Sequence, residues 1–466
     1  VLSGFRSCDQ GLVGEPLAIG GEQEGGDAIQ RVPGHVAVGQ CRYSTTGSTT
    51  WENAQPVFRN TAAGTGVALG HNGNLVNTAE LTTRARDQGL MGNRGDITAT
   101  TDSDILGALL AHGAADSTLE QAALELLPTV RGAFCLTFMD ENTLYAARDP
   151  YGVRPLSLGR LDRGWVVASE TAALDIVGAA FVRDIEPGEL LAIDADGVRS
   201  TRFANPTPKG CVFEYVYLAR PDSTLAGRSV HATRVEIGRR LAAESPVDAD
   251  LVIGVPESGT PAAVGYAQGS GIPYGQGLMK NAYVGRTFIQ PSQTIRQLGI
   301  RLKLNPLKEV IRGKRLIVVD DSIVRGNAQR ALIRMLREAG ALEVHVRIAS
   351  PPVKWPCFYG IDFATPAELI ANAASNSANE DEMLDGVRRA IGADTLAYIS
   401  RQGMIAATEQ PATRLCSACF DGDYPIELPG ETALGKNVIE HMLETAARTG
   451  IPLQVDNDNA SALRRP

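Results

Sequence analysis

Residues 315–340 constrain this chain more than any other stretch. Leu316 to Val319 are four consecutive apolar residues, the pattern of a strand buried on both faces. Asp320 and Asp321 follow, then Ser322 to Gly326, then an amphipathic run. In that run Ala328, Ala331, Leu332, Met335, Leu336 and Ala339 share one helical face, and Gly340 suits a C′ position. A strand that ends in two carboxylates and leads through a loop of backbone N–H groups to a helix N-terminus suits a polyanion. The carboxylates suit a divalent metal or the hydroxyls of a sugar. The bland alternative is a solvated strand–helix turn; the context on both sides favours the site.

At 466 residues the chain has room for two or three domains with sizeable cores. With 44 basic and 53 acidic residues its formal charge is −9, which argues against nucleic acid or an anionic membrane as the main partner. No run of about 18 apolar residues spans a membrane. The first residues lack the order of a signal peptide, so a cytoplasmic location is expected. Seven cysteines, at 8, 41, 135, 211, 357, 416 and 419, are an odd count that argues against a disulfide framework and points to metal ligation or catalysis.

Residues 1–33 read as a divergent or truncated start, rich in glycine and acid around Gly20–Gly26 and loop-like. From His35 to Arg42 the chain alternates like a half-buried strand. Gly66–His71 is a second strand, running into Asn72 and Gly73. Asn-Gly usually marks a tight turn, but an Asn amide beside a Gly N–H also forms an oxyanion hole. Thr101 and Asp102 open a helix. Strands follow at Gly132–Phe138, Leu144–Ala147 and Trp165–Ala168, with Arg148–Leu156 among them, and Asn205–Gly210 reads as a linker. Beyond it the pattern alternates: a helix near 230–245, a strand at Leu251–Val255, the loop Pro256–Gly259, a helix from Thr260, a basic stretch from Lys280 to Leu304, the Asp320/Asp321 unit, and a strand at Val344–Ile348. That is the signature of a doubly wound parallel sheet. Thr365, Pro366 and Glu368 form a capping box that starts a helix.

These motifs, in this order from His35 onward, resemble the glutamine phosphoribosylpyrophosphate amidotransferases, and the Asp320/Asp321 unit resembles the ribose-phosphate loop of phosphoribosyltransferases. The resemblance is to the iron–sulfur bacterial type. It implies a class II glutamine amidotransferase domain over 34–208, an N-terminal-nucleophile α-β-β-α sandwich. A type I phosphoribosyltransferase domain would cover 209–455, with a tail at 456–466. The implied reaction forms 5-phosphoribosylamine from phosphoribosyl pyrophosphate and glutamine, the first committed step of purine synthesis. Asp320 and Asp321 would hold the ribose and, with Ser258, Mg2+. The loop Ser322, Ile323, Val324, Arg325, Gly326 and Asn327 would cradle the 5-phosphate, and Arg286 and Lys303 would close over pyrophosphate. Asn327 and Ala328 stand where the family has two threonines. Arg42 would grip the glutamine carboxylate, Asp102 its amino group, and Asn72 with Gly73 the oxyanion. The family also implies purine-nucleotide inhibitors and a homotetramer.

The family's nucleophile is an N-terminal cysteine. Cys8 is internal and in a different context, so no nucleophile is identified. Two other readings stay open: an ammonia-dependent transferase, and a non-catalytic regulator that binds phosphoribosyl pyrophosphate. By composition Cys211, Cys357, Cys416 and Cys419 suit a [4Fe–4S] cluster or a structural zinc equally; the resemblance selects the cluster. Cys41 and Cys135, flanked by strand-like residues, read as buried free thiols.

Overall fold

The computed structural model describes residues 2–8, 11–13, 34–41, 53–62, 64–90, 100–281, 303–361, 366–373 and 379–430. The first half is built on a six-stranded antiparallel sheet. Its order is Gly197–Arg202, Glu189–Asp194, Leu144–Arg148, Gly132–Met139, Gly66–Leu75 and Val57–Asn60. Gly132–Met139 lies inside this sheet, and its alternate residues feed two cores. Phe134, Leu136 and Phe138 pack under the helices Thr78–Asp87, Asp102–Gly113 and Leu119–Leu126. Cys135 faces the other way, joining Leu156 and Leu158 in the core between this sheet and a three-stranded one. In the second sheet Leu158 points inward and Gly159 outward, against Leu174 of the Thr171–Ile176 helix. Helix, sheet, sheet, helix is the sandwich the sequence implied.

Three local readings change here. Leu2–Cys8 is a strand paired with Val36–Cys41 and Gly11–Val13, where a loop was expected. An extended strand edge offers hydrogen bonds to any segment that can lie along it, whatever that segment's hydrophobic pattern. Asn72 and Gly73 form no turn: the Gly66–Leu75 strand runs straight through them, paired residue by residue with Gly132–Met139. The helix expected from the capping box is one 3-10 turn, Pro366–Glu368, followed by the short helix Ile370–Ala373; Thr365 lies outside the described residues.

The second half is a four-stranded parallel sheet ordered Leu251–Gly254, Arg315–Asp320, Glu343–Ile348 and Thr395–Tyr398. The Leu316–Val319 run is buried on both faces, as its composition predicts. Ile317 and Val319 pack with the helices Val230–Glu244 and Thr260–Ser270, while Leu316 and Val318 pack with Asn327–Glu338 and Glu380–Ile391. The Asn327–Glu338 helix buries Gln329, Leu332, Ile333, Met335 and Leu336. Its expected first apolar residue, Ala328, is exposed, because Gln329 turns inward to donate to Asp320. Gly340 has the expected left-handed backbone, with φ +98°. At the end of the linker, Gly210–Cys211 pairs in parallel with Leu415–Cys416, which brings the start of this half against its last described segment. Among the described residues no helix is long and apolar enough to cross a membrane.

The helices Val230–Glu244 and Thr260–Ser270 approach so closely that only glycine fits at two reciprocal points. A Cβ on Gly238 would lie 1.9 Å from the Ala262 carbonyl oxygen, and one on Gly265 would lie 1.9 Å from that of Val235. Gly265→Ala must separate the helices and is expected to cost about 3 kcal/mol. Gly164→Ala, which meets open space, is the control and should be neutral. Thermal unfolding followed by circular dichroism compares them.

Candidate active sites and the seam between them

The end of the Arg315–Asp320 strand brings two loops together. A Cβ on Gly259 would sit 2.6 Å from the Val319 carbonyl oxygen, so glycine lets the Pro256–Gly259 loop lie flat against that strand. Ser258 thereby reaches the acid pair and donates from Oγ to Asp321 Oδ2 at 2.6 Å. Ser322 Oγ donates to the other oxygen, Oδ1. Asp320 accepts the Asp321 N–H at 2.9 Å and the Gln329 side-chain amide. Burial, and then the charge of Asp321, push the Asp320 carboxyl well above the usual range. Burial raises Asp321 too, against the Ser258 and Ser322 hydroxyls and the buried Arg234 guanidinium. Two acids confined in this way favour a cation between them.

The next loop is fixed by its backbone. Ile323 is buried in the core, the Val324 carbonyl accepts from Ile370 N–H at 2.9 Å, and Arg325 pairs with Glu368 at 3.4 Å. Gly326, with φ +73°, begins the Asn327–Glu338 helix without a side-chain cap, so the first N–H groups of the helix face the loop. Next to the Pro256–Gly259 loop lies a cavity of about 280 Å³ lined by Pro256, Glu257, Thr260, Tyr274, Gln276 and Lys280, among others. Lys280 Nζ is 3.0 Å from Glu257 Oε2, and the Lys303 carbonyl accepts from Asn281 N–H at 2.8 Å. Lys303 therefore sits at the base of the basic stretch. Arg286 lies outside the described residues, as does Arg42.

In the first half, alternation along the Gly66–Leu75 strand separates two expected partners. His71 and Gly73 share the face toward the Asp102–Gly113 helix, where Asp102 Oδ2 lies 3.6 Å from His71 Nδ1. Asp102 also accepts the N–H groups of Leu75 at 3.2 Å and Ser103 at 2.9 Å. Burial raises its carboxyl, but His71 and these N–H groups more than offset that and hold it below the usual range. Asn72 and Asn74 face the other way. Asn72 Nδ2 is 3.4 Å from Ser169 Oγ, and its Oδ1 is 3.5 Å from Arg154 Nη2. Asn74 Nδ2 donates to the Phe358 carbonyl at 3.1 Å, across to the second half. The structure thus brings Asn72 and Gly73 to the seam between the halves and leaves Asp102 behind the strand.

At the same seam Cys211, Cys357, Cys416 and Cys419 line one cavity, with Val153, Tyr359 and Tyr424. The Lys354 and Trp355 N–H groups donate to the Cys419 carbonyl at 3.0 and 3.1 Å, tying the loop that carries Cys357 to the one that carries Cys419. Burial, with the charge of Cys357 adding to it, pushes the Cys416 thiol up to about 12. Four thiolates here require cationic charge among them. Four cysteine side chains are a donor set that suits a [4Fe–4S] cluster and a structural zinc alike. Cys135 is buried as expected, but Cys41, at the end of the Val36–Cys41 strand, is exposed.

A family model described as a glutamine amidotransferase domain matches residues 41–176. An amidophosphoribosyltransferase of Mycobacterium tuberculosis is 84% identical over 439 residues, 94% of this chain and 83% of that protein. The Bacillus subtilis amidophosphoribosyltransferase is 43% identical, over 91% of this chain and 86% of its own. The chain belongs to the amidophosphoribosyltransferase family. A solved structure of the B. subtilis glutamine phosphoribosylpyrophosphate amidotransferase, complexed with ADP and GMP, superposes with a TM-score of 0.81 over 92% of each chain, at 41% identity. Amidophosphoribosyltransferases are glutamine amidotransferases of purine biosynthesis, so the non-catalytic reading falls away.

Sequence reasoning missed Arg154 and Glu214, whose side chains are 12% and 5% exposed and meet at 2.9 Å. The Arg148–Leu156 stretch was visible, but the pairing spans sixty positions and the linker. Asp102 carries its own test. Its lowered carboxyl adds stability that is present above the unfolded value near 3.8 and lost as pH falls below it. The unfolding free energy of Asp102→Asn should therefore lie below that of the parent chain at pH 7, with the gap closing below about pH 4. Urea titrations across that range measure it, and a gap constant down to pH 3 contradicts the assignment.

Proposed function

We propose that this chain forms 5-phosphoribosylamine from phosphoribosyl pyrophosphate, taking its nitrogen from glutamine, as the first committed step of purine synthesis. The observation that carries this reading is the hydrogen bond between Ser258 and Asp321, which joins two strand-end loops into one polyanion site. Asp320 and Asp321 receive the ribose hydroxyls, and the backbone N–H groups from Ser322 to Asn327 receive the 5-phosphate. Ser258, Asp320 and Asp321 would hold Mg2+. When bound there, magnesium would supply positive charge against the pyrophosphate leaving group. Arg286 and Lys303 close over pyrophosphate, where charge develops as the C1–O bond breaks, and they exclude water before ammonia attacks. Asn327 keeps one side-chain donor at the phosphate; Ala328 keeps none, so the backbone carries more of the contact.

For the glutaminase half, Arg42 holds the glutamine carboxylate, Asp102 its amino group, and Asn72 with Gly73 the oxyanion. The nucleophile is assigned to none of these residues, nor to Cys8. Cys211, Cys357, Cys416 and Cys419 would hold a [4Fe–4S] cluster that, when bound, cross-links the two ends of the transferase half. The B. subtilis complex with ADP and GMP supports purine nucleotides as ligands here too. A cytoplasmic homotetramer is the assembly this reading carries.

Phosphoribosylamine formation assayed with glutamine and with ammonium tests the whole: activity with both is expected. Activity with ammonium alone would leave only the transferase, and inactivity with both in folded protein would overturn the reading. Asp321→Asn should lower the rate with either nitrogen source by roughly a hundredfold or more. Cys419→Ser should abolish a broad absorbance near ~400 nm together with bound iron and sulfide. Stoichiometric zinc in the unaltered protein would contradict the cluster.

A further inference from the structure

Asn72 is held between a hydroxyl and a cation. Its Nδ2 faces Ser169 Oγ at 3.4 Å and its Oδ1 faces Arg154 Nη2 at 3.5 Å. A hydroxyl accepts or donates, so Ser169 tolerates either orientation of the amide. A guanidinium only donates. Arg154 therefore selects the orientation in which the amide oxygen points toward it and the amide nitrogen points away.

Arg154 is itself fixed from the other half of the molecule. Its Nη1 lies 2.9 Å from Glu214 Oε1, and both side chains are almost entirely out of solvent. Glu214 opens the helical turn Glu214–Leu218, three residues after Cys211. The Arg154 backbone carbonyl accepts from Arg148 Nε at 2.8 Å, which holds the main chain as well. The same strand is backed by the loop that carries Cys357. Phe358 accepts from Asn74, and a Cβ on Gly360 would lie 3.1 Å from Gly73 Cα. The strand that carries the oxyanion residues is thus braced by segments of the transferase half.

We propose that Arg154 is a positioning residue for the glutaminase half: anchored by Glu214, it holds the Asn72 amide with its nitrogen toward the developing oxyanion. The proposal rests on reading Asn72 and Gly73 as the oxyanion hole. A reversed amide would present a carbonyl oxygen to negative charge, so a fixed orientation stabilises the transition state and leaves ground-state binding of glutamine unchanged.

The test uses the full chain and measures phosphoribosylamine formation with each nitrogen donor. Arg154→Met alone strands the Glu214 carboxylate in the interior, so the double variant Arg154→Met/Glu214→Gln, which removes both charges, protects the fold. In that variant glutamine-dependent kcat should fall tenfold or more. KM for glutamine should stay within about threefold, and the ammonium-dependent rate and melting temperature should hold near those of the parent. Arg154→Lys, which keeps a donor-only cation, should recover kcat to within about fivefold. A double variant with parental glutamine-dependent kcat overturns the proposal. An equal loss with glutamine and ammonium overturns it too, because it marks a general structural role. A parent chain that turns over ammonium but not glutamine overturns the glutaminase reading on which the proposal rests, and the proposal with it.

Discussion

The hydrogen bond from Ser258 to the buried carboxylate of Asp321 is the contact on which the rest of this structure depends. Parallel strands deliver their C-terminal ends to one edge of the sheet, so Leu251–Gly254 and Arg315–Asp320 finish side by side. The loop after each strand then decides whether that edge is a site. Gly259 lets one loop press against the neighbouring strand, and Gln329 reaches back from the next helix to Asp320. The acids are held close together at an energetic cost that burial increases. On the proposed reading, a metal–polyphosphate ligand would remove that cost by placing positive charge where the protein has gathered negative charge.

The second organising feature is the seam. Four cysteines, the Arg154–Glu214 pair, and the contact of Gly360 with Gly73 all lie where the two halves meet. On the proposed reading, ammonia released in one half would have to reach the other, which needs the two sites in fixed register. Here the strand that carries Asn72 and Gly73 is supported by the segments that carry Cys211 and Cys357.

Sequence pattern revealed what local chemistry dictates. The Leu316–Val319 run gave a doubly buried strand because nothing polar interrupts it, and Gly340 ended its helix because the left-handed backbone there suits glycine. The pattern misled where tertiary contacts override local preference. Asn-Gly is a turn signal, yet pairing of Asn72 with Cys135 and of Gly73 with Phe134 holds it extended. Gln329 is polar by type but buried by function, and Ala328 is the reverse. Of the candidate site, Ser258 could be grouped with Asp320 and Asp321 only through the family resemblance. Arg154 could not, because its significance lies in partners that are distant in sequence.

On this reading the acid edge of the parallel sheet is a magnesium-dependent site for phosphoribosyl pyrophosphate. Calorimetric titration of the protein with that compound, in magnesium and then in chelator, tests it most directly. Saturable binding that requires magnesium and is lost in Ser258→Ala/Asp321→Asn is the expected result. Equal affinity with and without the metal, or undiminished binding by that variant, would contradict it.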